Sequence, residues 1–253
     1  MVRTGVSGSV LVVTIDRPER RNAVDAETAQ ALEAAFAAFE TNDEQRVGVL
    51  TGAGGNFCAG ADLKAIAAGS GLRAGDESRG PMGPTRMRLS KPVIAAVEGY
   101  CVAGGLELAL WCDLRVAARD AVFGVFNRRF GVPLVDGGTV RLARIAGQGL
   151  AMDMILTGRA VHADEAERFG LVNRLVRPGA ALVEAVALAE HIAAAPPTAL
   201  RNDRLSLLEQ WGMAEPEALA NEHRRGLDAL ASGEAVEGAR KFAEGEGRGG
   251  RGA

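Results

Sequence analysis

Cysteine is scarce in this sequence of 253 residues, as are aromatic side chains and long apolar runs. The three cysteines, Cys58, Cys101 and Cys112, are odd in number, sit in apolar surroundings and show no paired spacing. No disulfide framework or zinc site follows from them, and free buried thiols are expected. Tyrosine occurs once and tryptophan twice, too few for an aromatic platform that stacks on bases. The longest apolar stretches, such as residues 10–15 and 93–97, fall far short of the roughly 20 residues that cross a bilayer. The N-terminus has no basic region followed by an apolar one, so a cytoplasmic location, away from membranes, is expected. Neither sign of charge dominates: 29 Lys and Arg stand against 32 Asp and Glu, interleaved, for a net charge of −3. That balance argues against a nucleic-acid surface, although local arginines can still meet an anionic ligand.

What is present is the composition of a globular chain, 47% hydrophobic and 24% charged, enough for one large core. Residues 9–15, 46–51, 93–97 and 171–176 read as strands. Residues 26–40, 106–111, 150–156 and 163–169 read as helices, and their alternation with the strands predicts an α/β core. Five glycines and two prolines between positions 67 and 85 predict a mobile surface loop. From residue 180 the pattern is helical: 180–195, a Pro196-Pro197 break, 198–211 and 217–231. The expected organisation is therefore a body over 1–195, a helical region over 196–244 that packs on the body or on another subunit, and a disordered Gly/Arg tail over 245–253.

Two glycine-containing turns follow apolar strands, Asn56-Phe57-Cys58-Ala59-Gly60-Ala61-Asp62-Leu63 and Gly99-Tyr100-Cys101-Val102-Ala103-Gly104-Gly105-Leu106-Glu107. Small residues there let a ligand approach the main chain, and N–H groups at a helix start carry partial positive charge. Taken singly, each turn could equally be a tight strand-to-helix connection. Together, Ala59-Gly60-Ala61-Asp62-Leu63, Lys91-Pro92 with residues 93–99, Ala103-Gly104-Gly105-Leu106-Glu107-Leu108-Ala109 and Cys112-Asp113 resemble the successive signatures of the crotonase (enoyl-CoA hydratase/isomerase) superfamily. Arg17-Pro18, Asn22-Ala23, Leu156-Thr157-Gly158 and Gly170-Leu171-Val172 extend the resemblance over roughly residues 8–245.

The resemblance implies an α/β spiral of ββα units with a C-terminal helical trimerisation region, in a homotrimer or a dimer of trimers. It also implies an acyl-CoA thioester substrate and no separate cofactor, CoA being part of the substrate. The backbone N–H groups of Ala61 and Gly104 map to an oxyanion hole. CoA would run along Arg20, Arg21, Ala23, Ala59, Ala61, Asp62, Leu63, Lys64 and Gly104, with the cationic side chains near its phosphates.

Adding water across an enoyl double bond needs one group to activate water and another to deliver a proton to C2, which suits paired carboxylates. By the resemblance, one of two family glutamates falls on Glu107. The other falls on Asn127, whose amide cannot exchange a proton at neutral pH as a carboxylate can. Asp136, in Pro133-Leu134-Val135-Asp136-Gly137-Gly138-Thr139, matches the catalytic aspartate of the superfamily's dienoyl-CoA isomerases; otherwise it is a turn residue before two glycines. Glu107 and Asp136 are thus the expected acid/base pair. Three outcomes stay open: a 2-enoyl-CoA hydratase working through an enolate, a double-bond isomerase, and a weakly catalytic acyl-CoA binder. His162, His191 and His223 lie outside these motifs and are expected at the surface or at an interface.

Overall fold

The computed structural model describes residues 1–71 and 80–245. Five strands run parallel in one sheet: β2 (Val10–Ile15), β3 (Val47–Gly52), β4 (Val93–Val97), β6 (Leu114–Ala118) and β9 (Arg174–Val176). β1 (Val2–Ser7) closes one edge, antiparallel to β2. A smaller layer holds β5 (Tyr100–Val102), β7 (Val122–Gly124) and β8 (Val161–His162). Between the strands lie α1 (Ala26–Thr41), the short α2 (Leu63–Ala67), α3 (Gly104–Trp111), α4 (Gly138–Ala146), α5 (Gln148–Thr157) and α6 (Ala163–Arg168). α7 (Ala181–Ala193), α8 (Pro197–Glu209), α9 (Glu215–Ala231) and α10 (Glu234–Glu244) follow β9.

The strands read as unbroken apolar runs because both faces of the large sheet are covered. Successive side chains alternate between faces. Val93, Ala95 and Val97 of β4 join Leu32, Phe36 and Phe39 of α1 and Leu106 of α3 on one side. Ile94 and Ala96 meet Ala181, Ala185, Leu188 and Ala189 of α7 on the other. α7 is thus half of the sheet's cover. Lys91, beside Pro92 at the entry to β4, is buried and donates from Nζ to the carbonyls of Phe39 and Asn42, both at 2.7 Å, so it closes the C-terminal end of α1.

The expected ββα unit is visible in chain order. β4 of the large sheet leads to β5 of the small layer and then to α3, and β6 leads similarly to β7. One unit earlier, the chain after β3 enters the small layer through a parallel bridge between Cys58 and Cys101, then begins α2. Parallel pairing of Tyr100–Val102 with Val122–Gly124 continues the layer in the same direction.

Elements without strong local periodicity escape sequence reading. β1 is mostly exposed and owes its conformation to its ladder with β2. β5, β7 and β8 are too short to show a period. α4 begins at Gly138, and α10 is largely charged. The strand expected over 171–176 begins only at Arg174, because the N–H groups of Leu171 and Val172 both turn back to the Ala166 carbonyl. Residues 72–79 of the expected mobile loop and 246–253 of the expected disordered tail lie outside the described residues.

Residues 67–70 are exposed, as a surface loop requires, but the part of the loop over 80–85 corrects the expectation. Residues 80–85 are buried, not at the surface. Gly83, at φ +97°, passes so near α1 that an added Cβ would lie 2.5 Å from the Ala29 carbonyl oxygen. In the helical region, Arg204 of α8 reaches the body, bonding Asp113 at 2.8 Å and the Leu89 carbonyl at 2.7 Å. Glu209 ties α8 to Asn221 and Arg225 of α9. Glu234 caps the start of α8 through the N–H groups of Thr198 and Ala199.

Candidate active site

The two glycine turns occupy equivalent places in adjacent units. Cys58 and Cys101 face each other across the parallel bridge, and Ala61 and Gly104 each lie three residues beyond their member of that pair. The turns touch backbone to backbone: Cys58 N–H donates to the Tyr100 carbonyl at 3.0 Å, and Val102 N–H to the Cys58 carbonyl at 3.1 Å. This contact needs glycine. A Cβ on Gly60, at φ +92°, would lie 2.8 Å from the Gly104 nitrogen, and one on Gly105 would lie 2.1 Å from the Cys58 oxygen. Ala103, between β5 and α3, takes an unusual φ of 54° that turns the chain sharply into the helix.

Neighbouring N–H groups are occupied: Asp62 donates to the Val24 carbonyl and Ala103 to that of Gly124, each at 2.8 Å. Among the described residues, the N–H groups of Ala61 and Gly104 pair with no backbone carbonyl. Both residues line one cavity of about 270 Å³. Its wall brings together seven of the expected site residues: Ala59, Ala61, Leu63, Gly104, Glu107, Asn127 and Asp136. Met82, Phe126, Val132 and Pro133 supply apolar surface around them.

Glu107 sits in the first turn of α3 and is 2% exposed. Its Oε1 accepts the N–H of Asp136 at 2.8 Å and that of Gly138 at 2.9 Å. Burial pushes its carboxyl from the ordinary 4.5 up to about 7, aided by the nearby Asp136 carboxylate and opposed by the N–H donors. Half-protonated at neutral pH, it can either accept or deliver a proton.

Asp136 is 1% exposed, and burial raises its pKa. Its Oδ1 accepts from the Thr85 hydroxyl and from Met82 N–H at 2.9 Å, which holds the rise back. Arg141 of α4 spans the same two segments, donating to the Asp136 carbonyl at 2.8 Å and the Thr85 carbonyl at 2.7 Å. Met82, Thr85 and Arg141 were not foreseen from sequence. No local pattern marks them, since each acquires its role from a partner about 50 residues away or from a helix that only folding brings near.

Asn127 lies in a short 3-10 turn, Phe126–Phe130, and is 6% exposed. Its amide nitrogen donates to the Val132 carbonyl at 2.8 Å. Five other expected residues lie off the cavity wall. Asp62 is buried as the N-cap of α2, accepting Lys64 N–H at 3.0 Å, and pairs with Arg17 at 3.1 Å. Arg17 also holds Asp25 at 2.9 Å and bonds the Ala23 carbonyl, so Ala23 is part of a packed turn. Arg20 and Arg21 are exposed, as is Lys64 on α2. Ala59 N–H donates to the Arg21 carbonyl at 3.0 Å, which links this basic turn to the cavity edge, and the Arg21 guanidinium lies 5.1 Å from the Tyr100 ring centre.

All three histidines are exposed. The three cysteines are free and buried, and burial raises every thiol pKa, that of Cys58 to about 12. None is a thiolate at neutral pH, so nucleophilic thiol chemistry has no group to start from.

Residues 5–247 match the enoyl-CoA hydratase/isomerase family. Enoyl-CoA hydratase EchA19 of Mycobacterium tuberculosis is 39% identical over 245 residues, covering 94% of this chain and 91% of that protein. A mevalonyl-coenzyme A hydratase of Aspergillus fumigatus is 37% identical over 82% of this chain and 78% of its own length. Among solved structures, enoyl-CoA hydratase EchA1 of Mycobacterium marinum superposes with a TM-score of 0.91 at 42% identity, covering 96% of this chain and 95% of that one.

Proposed function

The chain belongs to the enoyl-CoA hydratase/isomerase family, and from that premise we propose that its cavity adds water across the double bond of a 2-enoyl-CoA. The observation that carries this reading is a buried carboxyl with a pKa near 7, Glu107, in one cavity with the N–H groups of Ala61 and Gly104. The thioester oxygen accepts from both N–H groups. As water oxygen bonds to C3, its proton passes to a carboxylate and the π electrons move onto the thioester oxygen. Fixed donors favour that enolate over the neutral carbonyl, each by about 3 kcal/mol. A carboxyl proton then goes to C2, giving the 3-hydroxyacyl-CoA. Glu107 and Asp136 share these two transfers. N–H donors and carboxyls meet every charge that develops, so the reaction calls for neither a metal nor a redox cofactor.

CoA enters along Ala59, Ala61, Leu63 and Gly104, with Arg20, Arg21 and Lys64 in reach of solvent-side phosphates. Following loss of the conjugated thioester absorbance of crotonyl-CoA tests the hydration, and steady turnover is the expected result. Asn127 in the cavity wall favours a second reading, double-bond isomerisation, which moves a proton but needs no water. Exchange of the C2 proton of a saturated acyl-CoA without crotonyl-CoA hydration would select it. Binding with neither reaction would leave a binding protein.

The helical region supports assembly into a homotrimer or a dimer of trimers. Leu207, Leu208, Leu219, Leu227, Leu230 and Val236 are exposed along α8, α9 and α10, more apolar surface than a lone appendage leaves in water. Sedimentation should give a multiple of three chains at micromolar concentration; a monomer there would overturn the assembly. No described helix is long and apolar enough to cross a membrane, and a cytoplasmic site of action is our placement.

A further inference from the structure

α4 begins with a cation at the end of a helix that favours anions. Arg141 lies one turn into α4, its N–H bonded to the Gly137 carbonyl at 2.9 Å, and its side chain folds back over the helix start to the Asp136 carbonyl. Burial lowers the pKa of Arg141, and the nearby Glu107 and Asp136 carboxyls raise it. Those two groups offset a placement that the helix dipole opposes.

Two glycines make the arrangement possible. A Cβ on Gly137, at φ +92°, would lie 2.5 Å from Nη1 of Arg141, and one on Gly138 would lie 2.9 Å from Oε1 of Glu107. The turn is thereby held by both side chains: Glu107 accepts the N–H groups of Asp136 and Gly138, and Arg141 donates to the Asp136 carbonyl. A second Arg141 bond, to the carbonyl of the buried Thr85, ties in the segment whose Thr85 hydroxyl and Met82 N–H fix the Asp136 carboxylate. Both bonds go to carbonyls, so neither carboxylate gives up an oxygen to the guanidinium.

We propose that Arg141 is the positioning residue of the acid/base pair: it fixes the turn that sets Asp136 against Glu107, and its charge favours the ionised carboxylate that takes the proton of the attacking water. Arg141 is not part of the cavity wall, so it acts through the pair and not on the substrate. This rests on the hydration reading of the cavity. The other groups that face the pair or Arg141 are Arg86, which is exposed and screened by water, the Thr85 hydroxyl, and Cys112, whose thiol burial keeps protonated.

The test follows kcat and KM for crotonyl-CoA hydration against pH in Arg141→Met and Arg141→Lys, per folded molecule. Methionine fills much of the same space without charge or donors, so kcat should fall about 100-fold, the scale of a small misplacement, with KM within about threefold. Losing the cation raises the carboxyl pKa values, and the acid limb of kcat should therefore move up by about one pH unit. Lysine keeps the charge but lacks the planar fork that spans two carbonyls. It should hold the wild-type acid limb and regain only part of kcat. An acid limb unmoved in Arg141→Met is the mark of a merely structural arginine and overturns the assignment, as does an unchanged kcat or a lysine variant whose limb moves as far as that of methionine. Should Arg141→Met not fold, Arg141→Gln, whose amide still donates to one carbonyl, is judged by the same shift of the acid limb. A wild type that turns over no crotonyl-CoA overturns the hydration reading itself, and this proposal with it.

Discussion

Replacing Glu107 by glutamine should lower kcat for crotonyl-CoA hydration by about 10²–10⁴-fold, the usual worth of a positioned acid/base, with little change in KM. The amide is nearly isosteric, and its oxygen can still accept the N–H groups of Asp136 and Gly138 that now meet Oε1. The same change should stabilise the fold. Burial raises the native pKa of Glu107 from 4.5 to about 7, so between those values the unfolded chain releases a proton that the native state keeps. Stability of the wild type therefore falls as pH rises through that window and levels off above it. The cost of that shift is about 3 kcal/mol, and the glutamine variant does not bear it. Denaturant unfolding should find the two proteins alike near pH 4 and the variant more stable at pH 8. Full turnover in Glu107→Gln would remove the residue from the chemistry, and equal stability at pH 8 would mean that its carboxyl is not held protonated by burial.

Asp136→Asn should lower turnover at least ~100-fold with little change in acyl-CoA affinity. The asparagine oxygen can still accept from Thr85 and from Met82 N–H, the two donors that now meet Oδ1, so the buried segment at 80–85 keeps its anchor and thermal stability stays close to wild type. Asp136→Ala removes the anchor as well, and should lose both turnover and stability. The contrast between these variants separates proton transfer from anchoring. If Asp136→Asn keeps most of its turnover per folded molecule, Asp136 is an anchor for Met82 and Thr85, and Glu107 alone carries both proton transfers.

Much of this protein is legible in its sequence because the relevant interactions are local. Strands β2, β3 and β4 are written as apolar runs, and α1 and α7 as amphipathic periods; each needs only a few neighbours in the chain to show itself. The Ala61 and Gly104 N–H groups and Glu107 are picked out differently, by the resemblance of their turns to family motifs, since neither turn alone marks a site. The structure adds that a side chain at Gly60 or Gly105 would collide with neighbouring backbone, and that the Ala103 carbonyl, one helical turn earlier, accepts the Glu107 N–H.

Only the tertiary structure decided what each polar group near the cavity does. Asp62 and Glu107 are both acidic and both stand near a helix start, yet the first is spent on Arg17 and the cap of α2 while the second is desolvated beside Asp136. Residues 80–85 carry the glycines and prolines of a loop, yet they are buried, because Asp136 and α1 supply partners from elsewhere in the chain. The difference lies in what sets burial and pKa. They depend on which distant groups replace water around a side chain, and that is a property of packing, which local composition and spacing do not encode.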